Sequence, residues 1–199
     1  MNYLKGIITV LLIGLMQACS SLSPLDMSYS GPTNPALTEA LAEQDWIRDE
    51  YTTYQKRKGY KAFAIATDAG GTIFATGFAD DKVTEQAAYN EALRMCRHYS
   101  EGDGQCSVID EQSSQERSGL TQKQIDTAPK ELIAHRDIVR YVKYKKASAP
   151  KAFAVAACSG QSFWLANQTT QANAEQEVLS MCETHRHASD PCCTLLESE

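Results

Sequence analysis

Positive charge is scarce: 19 Lys and Arg stand against 25 Asp and Glu, a formal net charge of −6 over 199 residues. At a pI near 5.3 the chain lacks the basic surface that a phosphate-backbone partner requires, which excludes nucleic acid. Long apolar runs are missing too. The longest uncharged one, Gly6 to Met16, falls short of the roughly 20 residues that span a bilayer. No Gly-x-Ser-x-Gly elbow, P-loop or Gly-rich dinucleotide turn occurs, so no nucleophile system or nucleotide cradle announces itself. What remains is globular: 43% hydrophobic and 22% charged residues exclude wholesale disorder, collagen and coiled coil. The length suits one domain or two small ones.

The amino terminus points to export. Lys5 precedes the apolar run, and the run ends in Leu15-Met16-Gln17-Ala18-Cys19, the layout of a secretory signal over residues 1–18. A small residue and then Cys directly after the apolar stretch resembles a bacterial lipoprotein lipobox, with Met16 where Leu is more usual. The resemblance implies that Cys19 becomes the first residue of the mature chain and carries acyl chains (palmitate among them), several of which hold firmly where one holds weakly. Ser20 rather than Asp follows Cys19, which in the sorting pattern of enteric bacteria implies the outer membrane, facing the periplasm. Residues 19–35 then read as the lipidated Cys and a flexible tether, rich in Ser and Pro.

An internal repeat organises the rest. KAFAIA at 61–66 returns as KAFAVA at 151–156, and Tyr51-x-x-Tyr54 returns as Tyr141-x-x-Tyr144, both 90 residues later. Ala88, Glu91, Leu93, Cys96 and Cys106 return as Ala174, Glu177, Leu179, Cys182 and Cys192 after 86 residues. The four-residue difference is expected between Gly77 and Thr84. Each unit reads as strand, strand, helix, strand: an alternating first strand, a Gly hairpin, a β-branched and aromatic return, and a helix capped by Thr84 or Thr170. The fold class is α+β, in two tandem small units at 36–111 and 129–199, with 112–128 as a polar linker. Phe63 and Ile65, like Phe153 and Val155, are expected to face the helix. The opposite, Ala-bearing face then needs a cover, for which the Tyr segments 36–57 and 129–146 and, equally, the other repeat are candidates. Residues 138–144 fit strand or helix.

Seven cysteines occur. With Cys19 given to lipid, an even six remain, which in an oxidising periplasm reads as disulfides. Cys96 ends a helix and Cys106 opens the next strand, so Cys96–Cys106 and, by repetition, Cys182–Cys192 are expected. Cys158 and Cys193 both lack counterparts in the first unit, which suggests Cys158–Cys193 as a third bridge. The competing pairing joins Cys158 to Cys192 and leaves Cys193 for Cys182.

Chemical candidates are few. The Cys182, His185, His187, Cys192, Cys193 cluster has the ligand types zinc prefers, but a disulfide beside two solvated His residues accounts for it, so no metal or other cofactor is expected. Asp80 and Asp81 read as a solvated connection. Arg136, Arg140, Lys143, Lys145 and Lys146 form a basic stretch that could touch anionic lipid heads or cell-wall polymers. Tyr51, Tyr54, Tyr141, Tyr144, Phe74 and Trp164 are candidate binding aromatics, or the cover of the open sheet face.

The unit resembles the short cysteine-containing domains of unknown function found in exported bacterial proteins and lipoproteins. KAFAIA, Gly70, Ala88, Leu93, Cys96 and Cys106 carry the likeness, as do KAFAVA, Gly160, Ala174, Leu179, Cys182 and Cys192. The resemblance implies location and fold and brings no activity with it. The expected role is a lipid-anchored envelope accessory or binding protein without catalysis, whose partners are the membrane, through Cys19, and another envelope protein or a cell-wall polymer. The alternatives are a metal-dependent protein or enzyme built on His185 and His187, and a structural subunit of an envelope complex.

Overall fold

The computed structural model describes residues 35–113 and 119–199, so the expected signal, Cys19 and nearly all of the tether lie outside the described residues. In chain order the elements are α1 (Pro35–Glu43), α2 (Asp45–Gln55), β1 (Tyr60–Thr67), β2 (Ile73–Lys82), α3 (Glu85–Tyr99) and β3 (Gln105–Ser113). They continue with α4 (Gln122–Asp126), α5 (His135–Lys146), β4 (Ala152–Ala156), β5 (Ser162–Leu165), α6 (Gln171–His185) and β6 (Cys193–Ser198). The chain is α+β, with two three-stranded antiparallel sheets ordered β2-β1-β3 and β5-β4-β6. Thr84 and Thr170 cap α3 and α6, their hydroxyls accepting from Ala87 N at 3.1 Å and Asn173 N at 3.2 Å.

The central strands β1 and β4 are buried on both faces, and the two faces carry different residues because side chains alternate along a strand. Contrary to the expectation from sequence, the Ala residues face the cysteine helix. Ala62, Ala64 and Ala66 pack with Ala88, Ala92, Leu93 and Cys96 of α3, and Ala152, Ala154 and Ala156 with Ala174, Val178 and Cys182 of α6. Small side chains let a helix lie close. At Gly77 on β2 the approach is closest, since a Cβ there would stand 2.1 Å from Cys96 N.

The large residues look the other way. Phe63 and Ile65 pack with Ile47 and Tyr54 of α2 and with Leu37 and Ala40 of α1, while Phe153 and Val155 pack with Ile138 and Tyr144 of α5. Residues 138–144 are therefore helix, and each sheet is sandwiched between helices. The repeated Lys explains itself here. Lys61 is 4% exposed, and its ammonium donates to Tyr54 O at 3.2 Å and Gln55 O at 2.7 Å, at the C-terminus of α2. Lys151 does the same for α5, reaching Lys145 O at 3.3 Å and Ala147 O at 3.0 Å. A cation there meets the unpaired carbonyls and the negative end of the helix dipole.

The four-residue difference lies in the hairpin, not after Gly77. Ala66 pairs with Ala75, whereas the amide of Ala156 already bonds Gln161 O, so the second hairpin is the shorter. From there the shift of 86 runs through the helix.

The same registers decide the cysteines. Ala66 pairs with Cys106 and Ala156 with Cys193, and directly paired residues of antiparallel strands project to one face. Both cysteines thus lie on the Ala face, beneath their helices. Cys96 is joined to Cys106 (Cα–Cα 6.1 Å) and Cys182 to Cys193 (Cα–Cα 6.0 Å). This overturns the expected Cys182–Cys192 and Cys158–Cys193 bridges. Cys192 precedes β6 and is a free, exposed thiol. The reversed assignment of sheet faces is the cause: with Phe153 and Val155 turned to α6, Cys193 would have pointed away from it.

Part of the expected linker also folds. Thr121 and Gln124 form a capping box at the start of α4. Leu120 is 8% exposed and joins the core of the second unit, against which Ile125 packs.

The units are stitched together where β2 ends. Lys82 forms an antiparallel bridge with Ala134, and Val83 N donates to Ile133 O at 3.0 Å. Val83 itself packs against the core of the second unit. Asp80 and Asp81 belong to β2 and this seam rather than to a solvated connection.

A candidate binding cleft between the two units

The seam opens into a cleft of about 440 Å³ walled by β2 and α3 of the first unit and by α5, the β4–β5 hairpin and the loop after α6 of the second. Its charged lining is mostly cationic: Lys82, Arg94, Arg136 and Arg140, with Asp80 and Glu91 opposing them. Arg136 and Arg140 are four residues apart on α5, which puts both on one helix face.

Two buried aspartates shape the cleft from beneath. Asp137 is 1% exposed, and its Oδ1 accepts from Ser162 N at 3.0 Å, Ser162 Oγ at 2.7 Å and Arg140 Nη1 at 3.1 Å. Asp190 is equally buried and accepts from Ser159 N and Ser159 Oγ, both at 2.8 Å. The short hairpin is thus pinned at each end by one carboxylate. Arg94 spans the units. It grips Glu91 with two bonds of 2.7 Å, donates to Ser189 Oγ and lies 3.9 Å from Asp190. Although burial pushes Glu91 up, the hydrogen bonds from Arg94 and the charges of Lys82 and Arg94 hold it below its ordinary value.

Lys82 differs from the other buried lysines. It is 2% exposed, yet no hydrogen bond or ion pair involving its ammonium is found among the described residues. Burial lowers its pKa, and the charge of Glu91 offsets only part of that effect. His187 also lines the cleft. Its Nδ1 lies 2.6 Å from Ser189 Oγ, and its ring centre is 5.0 Å from that of His98. Burial, then the charges of Arg94 and His98, lower its pKa below the ordinary imidazole value.

A second depression, about 550 Å³, runs along the edge strand β2 and is lined by Trp46, Phe74, Phe78, Met95 and Tyr99. Trp46, Phe74 and Tyr99 are 42%, 41% and 57% exposed. Of the candidate binding aromatics, only Phe74 lies here. Tyr54 and Tyr144 are fully buried, with Tyr51 and Tyr141 beside them and edge-on to Phe63 and Phe153. Tyr51 donates to Asp110 and Tyr141 to Glu197, each at 2.6 Å. Trp164 pairs with Phe153 across the sheet and packs against the second core. These Tyr residues cover the sheet face, and Trp164 belongs to the face they cover.

His185 sits outside the cleft lining, its Nδ1 2.9 Å from Met181 O. Among the described residues no group of three or more His, Cys, Asp or Glu is placed to hold a metal. No described helix is long and apolar enough to cross a membrane. Lys145 is drawn into ion pairs with Glu197 and Glu199, so the basic stretch of α5 divides between a structural end and the cleft. Sequence reading passed over Lys82 and Arg94. Arg94 carried a readable signal, three residues after Glu91 on a helix, but the Asp190 that completes its set is remote in the chain.

No family model matches the chain, and no curated protein or solved structure matches it.

Proposed function

We propose that this protein is a binding protein of the bacterial envelope, lipid-anchored through Cys19, that receives a ligand in the cleft between its two units. The observation that carries the reading is the composite wall. Neither unit alone forms the cleft, and Arg94 reaches across it to Ser189 and Asp190. The volume falls within the several hundred Å³ typical of small-molecule sites. The lipid concentrates the protein at a membrane and the tether gives it reach. Duplication supplies two stable frames with one opening between them.

The test is site-specific photocrosslinking in intact cells. A crosslinker at Gln161, in the cleft wall, is expected to trap an envelope component. One at Gln176, exposed on α6, is expected not to. Equal trapping at both places defeats the assignment of the cleft. Recovery of the Cys19→Ser protein in the soluble fraction, with the parent in the membrane fraction, supports the anchor; identical fractionation of the two opposes it.

A further inference from the structure

We infer that the cleft binds a phosphoryl group, with the Lys82 ammonium as its buried anchor; this rests on the reading of the cleft as a ligand site. Lys82 as a residue is only 2% exposed and lines the cleft, so its ammonium is largely withdrawn from water and gains from an acceptor that enters there. Lys61 and Lys151 show how this chain otherwise treats a buried lysine, giving each two backbone carbonyls. Lys82 has no such arrangement among the described residues, and it lines a cavity open to solutes.

The neighbours narrow the ligand. The guanidinium of Arg136 is 55% exposed, and among the described residues its one ion-pair approach is 3.8 Å, to Asp137 Oδ2. Arg140 is 44% exposed and uses Nη1 for Asp137 and Ser162 O, which leaves the rest of its fork for a ligand. Arg94 is committed to Glu91, so that pair brings little net charge. Asp190 is spent on Ser159; Asp137 gives its Oδ1 to Ser162 and Arg140, while its buried Oδ2 makes no hydrogen bond among the described residues and lies 3.8 Å from Arg136 Nε. Three cations with spare donors therefore converge on the cleft, opposed by Asp80 in its wall and by Asp137 behind the two arginines. A phosphomonoester offers two negative charges and three terminal oxygens, enough to meet an ammonium and two guanidinium forks together. A carboxylate offers a single charge in one plane and leaves more of the three cations' charge unmatched. Arginine forks and lysine point charges are the usual pairing for phosphate. The phosphoryl group can belong to a lipid head or to a free small molecule, and the chemistry of recognition is the same.

Titration calorimetry of the purified full chain with inorganic phosphate tests the proposal. Saturable binding, weakened by about tenfold or more in Lys82→Met and in Arg140→Ala, is the expected result. Lys82→Met removes a charge that has no hydrogen bond among the described residues and keeps nearly the length of the buried side chain, so the fold is expected to survive. Phe74→Ala, in the other depression, is expected to bind as the parent does. Absence of saturable phosphate binding, equal affinity in Lys82→Met, or acetate binding as tightly as phosphate each overturns the phosphoryl assignment. None of these bears on the crosslinking pattern, which tests the cleft itself. Competition with phosphatidylcholine vesicles, with and without phosphatidic acid, identifies the source. Displacement of phosphate only by the phosphatidic acid vesicles assigns a lipid head, and no displacement assigns a soluble ligand; both support the site.

Discussion

The carboxylate of Asp81, at the end of β2, accepts a hydrogen bond of 3.0 Å from the backbone amide of Arg136, in the first turn of α5. One unit thereby caps a helix of the other. The cap residue in sequence, Ala134, has no side chain to do this, so an unpaired first-turn amide is satisfied from 55 residues away. Asp81 holds φ at +58° to present its carboxylate, a conformation that Asp and Asn tolerate better than other side chains. Asp81→Ala is expected to lose about 1–2 kcal/mol of stability, and Asp81→Asn less, since its amide oxygen can still accept. Urea denaturation of the three proteins checks the order. A variant order of Asn worse than Ala refutes the cap.

The paired tyrosines separate packing from hydrogen bonding. Tyr141 donates to Glu197 at 2.6 Å, and burial together with that bond pushes its pKa up to about 12. Tyr144, one turn on, is fully buried and its hydroxyl has no hydrogen-bond partner among the described residues. Tyr141→Phe is expected to cost about 1–2 kcal/mol, the loss of a bond to a charged acceptor. Tyr144→Phe removes an unsatisfied hydroxyl and keeps the ring against Phe153, so its stability is expected to equal or exceed the parent's. Equilibrium unfolding of both variants measures the contrast, and equal losses would contradict it.

His187 makes stability depend on pH in a defined direction. The groups facing it are Glu91, Arg94 and His98 from α3 and Asp190 from its own loop, and its pKa in the folded chain lies below the ordinary 6.5. Above that value neither state is protonated there. As pH falls below it, the unfolded chain takes up the proton first, so stability declines through the interval down to the folded pKa and stays lowered beneath it. Glu91 and Glu199 are lowered as well, Glu199 to about 2 by its hydrogen bonds with Lys145 and then Lys151, but from the carboxylate range, so they act at lower pH. Their contribution is complete above the ordinary carboxylate range and is lost only as pH falls through their lower folded values. Melting temperatures between pH 7 and pH 5.5 are therefore expected to fall in the parent and to fall less in His187→Gln. Parallel curves would remove His187 as the cause.

The strand-strand-helix-strand order was legible because it rests on local signals: alternation in KAFAIA, the Gly hairpin, the Thr caps. Which face of the strand met which helix was not. Alternation shows that Phe63 and Ala64 point opposite ways, but both α2 and α3 are amphipathic and either could take the larger residues. The answer is tertiary: Gly77 and the Ala residues let α3 come within backbone contact of the sheet. The repeat also hid its own gap, because Phe74 and Trp164 match by residue type while the registers pair Phe78 and Trp164 with the two strand-one phenylalanines. The cleft was least legible. Lys82, Arg94 and Arg140 come from three elements, and nothing in their spacing shows that they share a cavity with His187.

The adjacent pair Cys192 and Cys193 turns that question of faces into an experiment. Their side chains alternate across β6 and the residue before it, so only one can lie under α6, and the Ala156–Cys193 register selects Cys193. Each bridge closes a loop of about ten residues, worth about 2.5–3 kcal/mol in the chain-entropy estimate. Cys192→Ser is expected to leave both the Cys182 crosslink and stability unchanged. Cys193→Ser is expected to lose a large part of that stabilisation, because a bridge from Cys182 to Cys192 would require the strand to rotate its neighbours out of the Ala-lined core. Alkylation of the folded, unreduced protein is expected to label Cys192 and to spare Cys193. Fragmentation between the two residues assigns the label, and a label on Cys193 instead would reverse the register and with it the assignment of Phe153 and Ala154 to their faces.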